Sequence, residues 1–300
     1  MARVLVTGGS GLVGRALLPM LAARGHTVHA VCRAAGPVPG AAVHLCDLLD
    51  PNSHAALIAA ARPEVMIHLA WFTKHGAFWS ATENLAWVSA SLALVRAFVE
   101  GGGRRFIGAG TCAEYAWTEP VLVEDQSPLV PATLYGVSKD ALRRVVASYT
   151  QGAGVSAAWG RIFFLYGSGE DGGRLVPSVI RALLAGESAR CSHGRQVRDF
   201  LHVDDVAGAF ASLVESDLAG ACNIGSGEGR SVRSVVEAIG RAVGREDLLR
   251  FGEFPTPPDD PPSIVASTAR LREATGFVPT ISLEEGIGRV LAEARGALAS

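Results

Sequence analysis

Over the first 160 residues, short apolar runs rich in β-branched residues alternate with longer stretches rich in Ala and Leu. The longer stretches repeat apolar residues at helical spacing and predict helices over 12–23, 53–61, 83–100 and 133–151. The short runs predict strands over 3–7, 27–31, 42–46, 65–70, 104–110 and 155–161. Because such alternation is typical of βαβ units, the pattern predicts an α/β fold with one doubly wound parallel sheet.

Beyond residue 167 the pattern is less regular and predicts a smaller second lobe. A glycine-rich turn, GSGEDGG, precedes a predicted helix over 176–185, a strand over 197–201 and the proline cluster FPTPPDDPP. A helix over 203–215 and a strand over 221–224 are expected to rejoin the main sheet. We therefore expect one domain from 1–163 with 203–225, and a C-terminal lobe from 164–202 with 226–300.

Composition and charge narrow the class of protein. The 300 residues are 49% hydrophobic with a formal net charge of −2, which indicates a globular protein with a large core. No broad basic field is present, so nucleic acid is not an expected partner. The first apolar run ends at Gly8, too short for a signal peptide or a membrane span, so we expect a cytoplasmic protein. The five cysteines contain no CxxC pair and are expected to be reduced thiols.

The first strand runs directly into a glycine-rich turn, GGSGLVG, and then into a helix. Gly8, Gly11 and Gly14 form a GxxGxxG pattern at this strand-to-helix turn. Glycines there let the backbone approach a pyrophosphate, and the helix N-terminus adds free N–H groups and a positive dipole end. We predict that this turn, with Ser10, Leu12 and Val13, binds a dinucleotide.

The end of the second strand bears on which dinucleotide is bound. An acidic residue there accepts hydrogen bonds from the ribose of NAD, whereas an arginine accommodates the 2′-phosphate of NADP. The strand ends in VHAVCR, so Arg33 favours NADP(H), with NAD(H) left open because Arg33 can also be an ordinary surface residue. Asp47 is a candidate acceptor for the adenine amino group, and Leu48, Leu69 and Ala70 are further cofactor-binding candidates.

Tyr135 and Lys139 lie four residues apart in LYGVSKDAL, a segment predicted to be helical. Both side chains should therefore emerge on one helix face. An ammonium beside a phenol, with an oxidised nicotinamide nearby, is expected to lower the tyrosine pKa from about 10 towards the working range. Tyr135 is thus a candidate proton donor or acceptor at a carbonyl or an alcohol.

Five segments together resemble the ordered landmarks of the extended short-chain dehydrogenase/reductase family, of the nucleotide-sugar-modifying NAD-dependent epimerase/dehydratase type. They are TGGSGLVG, HLA at 68–70, GTCAEYA at 110–116, YGVSK and RDFLHVDDV, and they cover most of the chain. The resemblance implies a Rossmann-type domain that binds NAD(P) and a C-terminal lobe that holds a nucleoside diphosphate sugar. It also implies that Thr111 hydrogen-bonds the reacting oxygen, that Tyr135 is the acid/base, and that Lys139 also holds the nicotinamide ribose.

The same resemblance implies further contacts. Arg198 would reach the diphosphate, because its guanidinium can donate to two phosphate oxygens. Asn84 would support the active-site hydrogen bonds. A homodimer would form through the helices at 83–100 and 133–151, although their Ala-rich faces can equally pack internally. No metal site is predicted, and the following side chains are expected to cap a helix or bond locally: Asp199, His202, Asp204 and Asp205.

Two departures from the family pattern narrow the reaction. Similar 4,6-dehydratases carry an Asp-Glu pair directly after the catalytic threonine, where this chain has Cys112 and Ala113. Glu114 would lie on the wrong side of an extended segment, so elimination is not expected. Phe164 stands where many epimerases and dehydratases have a substrate-contacting asparagine, which argues against simple transfer of epimerase substrate binding.

The stretch WFTKHGAFW supplies Trp71, Phe72, Phe78 and Trp79, which either line a sugar pocket or pack in the core. The substrate-binding candidates are Trp71, Thr111, Cys112, Tyr135 and Arg198. The leading hypothesis is an NAD(P)H-dependent oxidoreductase that reduces a 4-keto (deoxy)sugar nucleotide. The alternatives are a nucleotide-sugar 4-epimerase with retained NAD and a non-catalytic NADP-binding protein.

Overall fold

The computed structural model of the protein describes residues 1–34, 36, 38–256 and 260–299. Residues 257–259 of the proline cluster therefore lie outside the described part of the chain. All five cysteines are described, and each is a free thiol, as expected from their spacing. Across the described ranges, no helix combines the length and the apolar character needed to cross a membrane.

The strands follow in chain order as β1 (Arg3–Thr7), β2 (Thr27–Cys32), β3 (Ala42–Leu45), β4 (Val65–His68), β5 (Arg105–Thr111), β6 (Val121–Leu122), β7 (Ser156–Ile162), β8 (Phe164–Tyr166), β9 (Ala189–Cys191), β10 (Val197–His202), β11 (Gly220–Ile224), β12 (Gly229–Ser231), β13 (Leu249–Phe251) and β14 (Ser263–Ala266). The helices are α1 (Leu12–Ala23), α2 (His54–Ala61), α3 (Glu83–Glu100), α4 (Leu134–Gly152), α5 (Leu175–Leu184), α6 (Val203–Val214), α7 (Val232–Val243), α8 (Ala269–Thr275) and α9 (Leu283–Ala299).

The main sheet is parallel and has the strand order β11-β7-β5-β4-β1-β2-β3. One face is covered by α1 and α6, and the other by α2, α3 and α4. The expected Rossmann-type doubly wound fold is confirmed. The chain order reverses between β1 and β4, and a crevice at the carboxyl ends of strands is expected at such a switch point.

A second sheet has the order β12-β10-β14-β6, with β8 also paired to β10, and β13 pairs with β9. Buried apolar residues of α5, α7 and α9 form a separate core beside these strands. The strand β6 comes from 1–163 but pairs with β14, whereas β11 rejoins the main sheet. The division into two domains at the residues given above stays a prediction.

Candidate functional site

The glycine turn after β1 leaves no room for side chains. Gly8 has φ +70°, a left-handed conformation that favours glycine. A Cβ on Gly14 would lie 2.2 Å from the Gly8 carbonyl oxygen, so α1 can start this close to β1 only with glycine here. Gly11 is the N-cap of α1, and within the described residues no side chain caps this terminus. The first-turn N–H groups are thus oriented to receive an anion, and the turn fits a dinucleotide pyrophosphate.

A buried hydrogen-bond network holds the neighbouring strand end against this turn. Thr7 Oγ1 accepts the N–H groups of Leu69 (3.1 Å) and Ala70 (3.2 Å) and lies 2.8 Å from His68 Nδ1. His68 Nε2 lies 2.8 Å from Ser91 Oγ. Burial lowers the pKa of His68 to about 3, so the imidazole is neutral. Leu69 and Ala70 are therefore fixed beside the glycine turn by residues that the GxxGxxG pattern does not reveal.

The remaining cofactor candidates lie at the ends of β2 and β3. Arg33 follows β2 and is exposed. Asp47 is exposed, and its Oδ1 accepts the N–H of Leu49 at 3.0 Å. Leu48 is buried beneath this turn. The structure thus leaves the Arg33 and Asp47 side chains at the surface of the strand ends, and their contacts with a cofactor remain predictions.

Helix α4 carries the tyrosine and lysine to the end of β5. Thr133 is its N-cap and accepts the N–H of Gly136 at 3.1 Å. A Cβ on Gly136 would lie 2.2 Å from the Ala113 carbonyl oxygen, so α4 packs directly on the short 3-10 turn Cys112–Glu114 that follows Thr111. This packing brings the Tyr135 phenol close enough to the Thr111 side chain for the threonine hydroxyl to act on its pKa. Thr111 and Tyr135 therefore lie close together, and their catalytic roles stay predictions.

The titration behaviour of this pair differs from the expectation. Burial raises the pKa of Tyr135, and the nearby Thr111 hydroxyl opposes this effect without cancelling it. Lys139 Nζ donates to the Ala109 carbonyl oxygen at 2.9 Å and lies 3.9 Å from the centroid of a Trp71 ring. Burial lowers the pKa of Lys139 to about 7. The expectation that Lys139 lowers the phenol pKa is wrong for the chain alone, because the amine is desolvated and bound to another group.

Two aromatic side chains, Phe78 and Trp79, form a wall beside the phenol, which we call the aromatic wall. Their ring centroids lie 4.9 and 5.9 Å from that of Tyr135, and both packings are edge-on. The Tyr135 N–H also donates to the Trp79 carbonyl oxygen at 3.1 Å. Phe78 is buried, while Trp79 stays exposed at the rim. The aromatic stretch therefore reaches the site rather than packing only in the core.

Asn84 supports the base of the aromatic wall. Its Oδ1 accepts the indole N–H of Trp71 at 2.8 Å, and its Nδ2 donates to the carbonyl oxygens of Phe78 and Ala81, each at 2.8 Å. The side chain is completely buried. The structure thus gives Asn84 a role in shaping the segment that faces Tyr135.

The residues after Thr111 differ from the expected extended segment. Cys112 and Ala113 are buried in the 3-10 turn, and burial raises the pKa of the Cys112 thiol to about 12. Glu114 is fully buried and accepts hydrogen bonds from Trp159 and Arg161. The geometric reason for discounting Glu114, an extended backbone, is therefore wrong. Its carboxylate is held by an arginine that the sequence pattern does not single out.

Arg198 lies on β10, close to the Cys112 thiol. Arg198 lowers the pKa of this thiol, but burial raises the same pKa by more. Its Nη1 donates to the carbonyl oxygens of Val197 and Pro261, each at 2.8 Å, and its Nη2 pairs with Asp260 Oδ1 at 2.5 Å. The guanidinium lies 5.5 Å from the centroid of the Phe164 ring. Phe164 thus packs under the arginine, and contact between Arg198 and a diphosphate stays a prediction.

The expected local bonding is found at His202, whereas Asp199 and Asp205 accept hydrogen bonds from segments 27 to 76 positions away. Asp199 accepts the N–H groups of Ser226, Gly227 and Ala266. His202 is the N-cap of α6 and accepts the N–H of Asp204. Asp205 accepts from Thr280 and Ile281. Over the part of the chain that the structure describes, no cluster of three or more His, Cys, Asp or Glu could hold a metal ion.

Comparison with known proteins assigns this arrangement to a family. Residues 4–225 match the NAD dependent epimerase/dehydratase family. A 3-diazoavenalumate denitrifying reductase of Streptomyces sp is 30% identical over 96% of this chain and 99% of that protein. A UDP-glucose 4-epimerase of Streptomyces lividans is 27% identical over 93% of this chain and 92% of that protein.

A solved structure agrees over nearly the whole chain. The structure of the UDP-glucose 4-epimerase of Thermus thermophilus in complex with NAD gives a TM-score of 0.86 at 27% identity, over 98% of this chain and 99% of that chain. The alternative of a non-catalytic binding protein is therefore set aside. The chain is an enzyme of the extended short-chain dehydrogenase/reductase type and belongs to the NAD dependent epimerase/dehydratase family.

Proposed function

We propose that this enzyme reduces the 4-keto group of a (deoxy)sugar nucleotide with a nicotinamide cofactor. The contact between Thr111 and Tyr135 supports a reaction at a carbonyl or alcohol oxygen. The buried Cys112 thiol and Ala113 offer no carboxylic acid or base for elimination. A relative that is 30% identical to this chain is named as a reductase, which supports net reduction of the substrate.

The bound cofactor would supply hydride to C4 of the sugar. The residues proposed to hold it are Gly8, Ser10, Gly11, Leu12, Val13, Gly14, Asp47, Leu48, Leu69, Ala70 and Lys139. Exposed Arg33 supports NADP(H) over NAD(H), since a guanidinium pairs well with a phosphate dianion. NAD(H) is the alternative, because the related Thermus enzyme is solved with NAD.

The chain's own groups would handle the oxygen and its proton. Thr111 would hydrogen-bond the carbonyl oxygen, and Tyr135 would donate a proton to the developing alkoxide. Burial raises the pKa of Tyr135, so the phenol stays protonated until the alkoxide, a stronger base than a phenolate, forms beside it. Lys139, whose pKa burial lowers to about 7, could take part in proton exchange near neutral pH. Arg198 would bind the diphosphate, with Trp71 and Cys112 lining the sugar site.

The aromatic wall is the observation that favours reduction over epimerisation as the proposed reaction. An epimerase must offer both faces of C4 to the same cofactor, so its sugar has to turn within the site. Here the rings of Phe78 and Trp79 pack edge-on against the Tyr135 ring, with centroid distances of 4.9 and 5.9 Å, and these rings would restrict rotation of the sugar beside the hydroxyl. A sugar held in one orientation is suited to reduction from one face.

The test is cofactor consumption by the purified enzyme with a panel of 4-keto-6-deoxy sugar nucleotides. We expect one NADPH oxidised for each sugar reduced, and a Tyr135→Phe variant that binds cofactor but reacts at least about 100-fold more slowly. A folded enzyme that oxidises neither NADPH nor NADH with any member of the panel would contradict the proposal.

The second candidate is a nucleotide-sugar 4-epimerase with retained NAD, which the relatives named UDP-glucose 4-epimerase favour. It predicts NAD in the protein as purified. It also predicts interconversion of UDP-glucose and UDP-galactose with no net cofactor turnover. Detection of both would replace the reductase proposal.

A cytoplasmic homodimer completes the proposal. The free thiols are consistent with a reducing compartment. Exposed apolar side chains on the two expected dimer helices, Leu85 on α3 and Val137, Val145 and Tyr149 on α4, would be covered by a second copy. Light scattering should give twice the protomer mass, and Val145→Glu should give the protomer mass. A monomeric wild-type enzyme would contradict the dimer.

A further inference from the structure

A buried carboxylate lies directly beneath the proposed catalytic threonine. Glu114 Oε1 accepts the N–H of Thr111 and the indole N–H of Trp159, each at 2.9 Å. Its Oε2 accepts from Arg161 Nε at 2.7 Å. The residue is completely buried, so its charge interacts with the surrounding groups with little screening by water. The backbone of Thr111 is thus bound to a carboxylate that pairs with an arginine.

The ion pair of Glu114 and Arg161 is fixed on its far side as well. Arg161 Nη1 donates to the Tyr115 hydroxyl at 2.9 Å, and this hydroxyl donates to Asn223 Oδ1 at 2.8 Å. A Cβ on Gly110 would lie 2.5 Å from Glu114 Oε1, so the backbone of β5 closes over the carboxylate. This network, which joins β5, β7 and β11, leaves the carboxylate in one position.

The charge of Glu114 acts on both proposed proton-handling side chains. Burial lowers the pKa of Lys139, and Glu114 raises it in opposition. Burial raises the pKa of Tyr135, and Glu114 raises it further. Besides Glu114, the side chains that act on the pKa of Tyr135 are Thr111, Cys112 and Arg174. Arg143 Nε lies 3.8 Å from Glu114 Oε2, and the Arg143 guanidinium also pairs with Asp140. Lys139 in turn acts on His68.

We propose that Glu114 is a positioning residue of the active site: its buried carboxylate fixes the backbone of Thr111 and places a negative charge that acts on Lys139 and Tyr135. The inference rests on the proposed function, since it assigns these residues to proton handling at the sugar oxygen. Glu114 touches no substrate in this scheme and acts through Thr111, Lys139 and Tyr135. The carboxylate therefore holds the geometry of the site and adds its charge to the larger effect of burial on these two groups.

The chain offers a direct readout of this charge, because it contains two lysines, Lys74 and Lys139. Protein labelled with ¹³C at the lysine ε-carbon should give two resonances, and exposed Lys74 supplies the internal reference. In Glu114→Gln, the titration midpoint of Lys139 should fall by about one pH unit or more, because an attractive charge has been removed. This measurement needs no substrate and no turnover.

Glu124→Gln is the matched control. Glu124 is a second buried carboxylate, whose Oε1 accepts the N–H of Asn223 at 2.8 Å in the same network. It is absent from the groups that act on Lys139. We expect Glu124→Gln to leave the Lys139 midpoint unchanged even where it lowers thermal stability. Equal midpoints in wild type, Glu114→Gln and Glu124→Gln would overturn the role of the charge.

Glu114→Asp separates position from charge. It keeps the carboxylate but shortens the side chain, so the Lys139 midpoint should stay near that of wild type while kcat falls at least tenfold. An unchanged kcat in a folded Glu114→Asp would overturn the positioning role, and this variant carries the test if Glu114→Gln does not fold. If wild type reduces no sugar nucleotide while the midpoints shift as expected, the proposed reaction fails and the electrostatic role of Glu114 stands.

Discussion

Glu170 should make the native state less stable as the pH rises. This residue belongs to the glycine-rich turn before α5, and its Oε2 is buried without a hydrogen-bond partner among the described residues. Burial raises its pKa from the ordinary 4.5 to about 7, against the attraction of Arg174. Between these two pH values the unfolded chain ionises while the native carboxyl stays protonated, so the native state loses stability across this window.

The pKa difference sets the magnitude. One pH unit corresponds to about 1.4 kcal/mol, so a rise from 4.5 to about 7 corresponds to no more than about 3.5 kcal/mol. Partial contact of the side chain with solvent reduces this figure. Glu170→Gln removes the ionisation, and it should therefore stabilise the protein by up to about 3 kcal/mol at pH 8 and by little at pH 4.5.

Urea unfolding, followed by tryptophan fluorescence at both pH values, measures the effect. Glu187→Gln is the control, because Glu187 is an exposed carboxylate just after the following helix. The difference in free energy of unfolding between Glu187→Gln and wild type should be the same at both pH values. The reasoning is refuted if Glu170→Gln differs from wild type by the same free energy at pH 4.5 and pH 8.

Three further predictions concern the site. Gly14→Ala should weaken dinucleotide binding, measured by calorimetry, at least tenfold, because the added Cβ would meet the Gly8 carbonyl oxygen. Gly152→Ala, where the Cβ meets open space, should leave the affinity unchanged, and equal affinities of the two variants would contradict the glycine-turn assignment. Arg33→Ala should weaken NADPH binding about tenfold and leave NADH binding unchanged, and equal losses would remove the case for NADP(H). Phe78→Ala should give product of mixed configuration at C4, seen by NMR of the sugar, and a single configuration would contradict the confining role of the aromatic wall.

The sequence predicts the doubly wound core well because its elements are long and periodic. The helix over 83–100 has the same bounds in the structure, and α6 and β11 return to the main sheet as expected. Several strands outside the main sheet, such as β9 and β12, are three residues long and too short to show alternation. Helix α7 could have been predicted from the sequence, because Ser231 caps its start and Gly244, in the left-handed region, ends it.

The site is predictable where it depends on local spacing and not where it depends on distant contacts. The glycine turn and the helical pair Tyr135 and Lys139 can be read from spacing alone. The pairing of Glu114 with Arg161 joins residues 47 positions apart, and no local pattern reveals it. The side-chain direction of Lys139, towards a carbonyl oxygen and an indole, likewise depends on the packing of α4 against β5.

Isotope transfer tests the proposed reduction most directly. The enzyme is supplied with a 4-keto-6-deoxy sugar nucleotide and NADPH deuterated at both C4 hydrogens of the nicotinamide. We expect deuterium at C4 of the product sugar, in one configuration, with one oxidised cofactor formed for each sugar. Conversion of a sugar nucleotide into its C4 epimer, with no deuterium gained and the added NADPH unconsumed, would contradict the account.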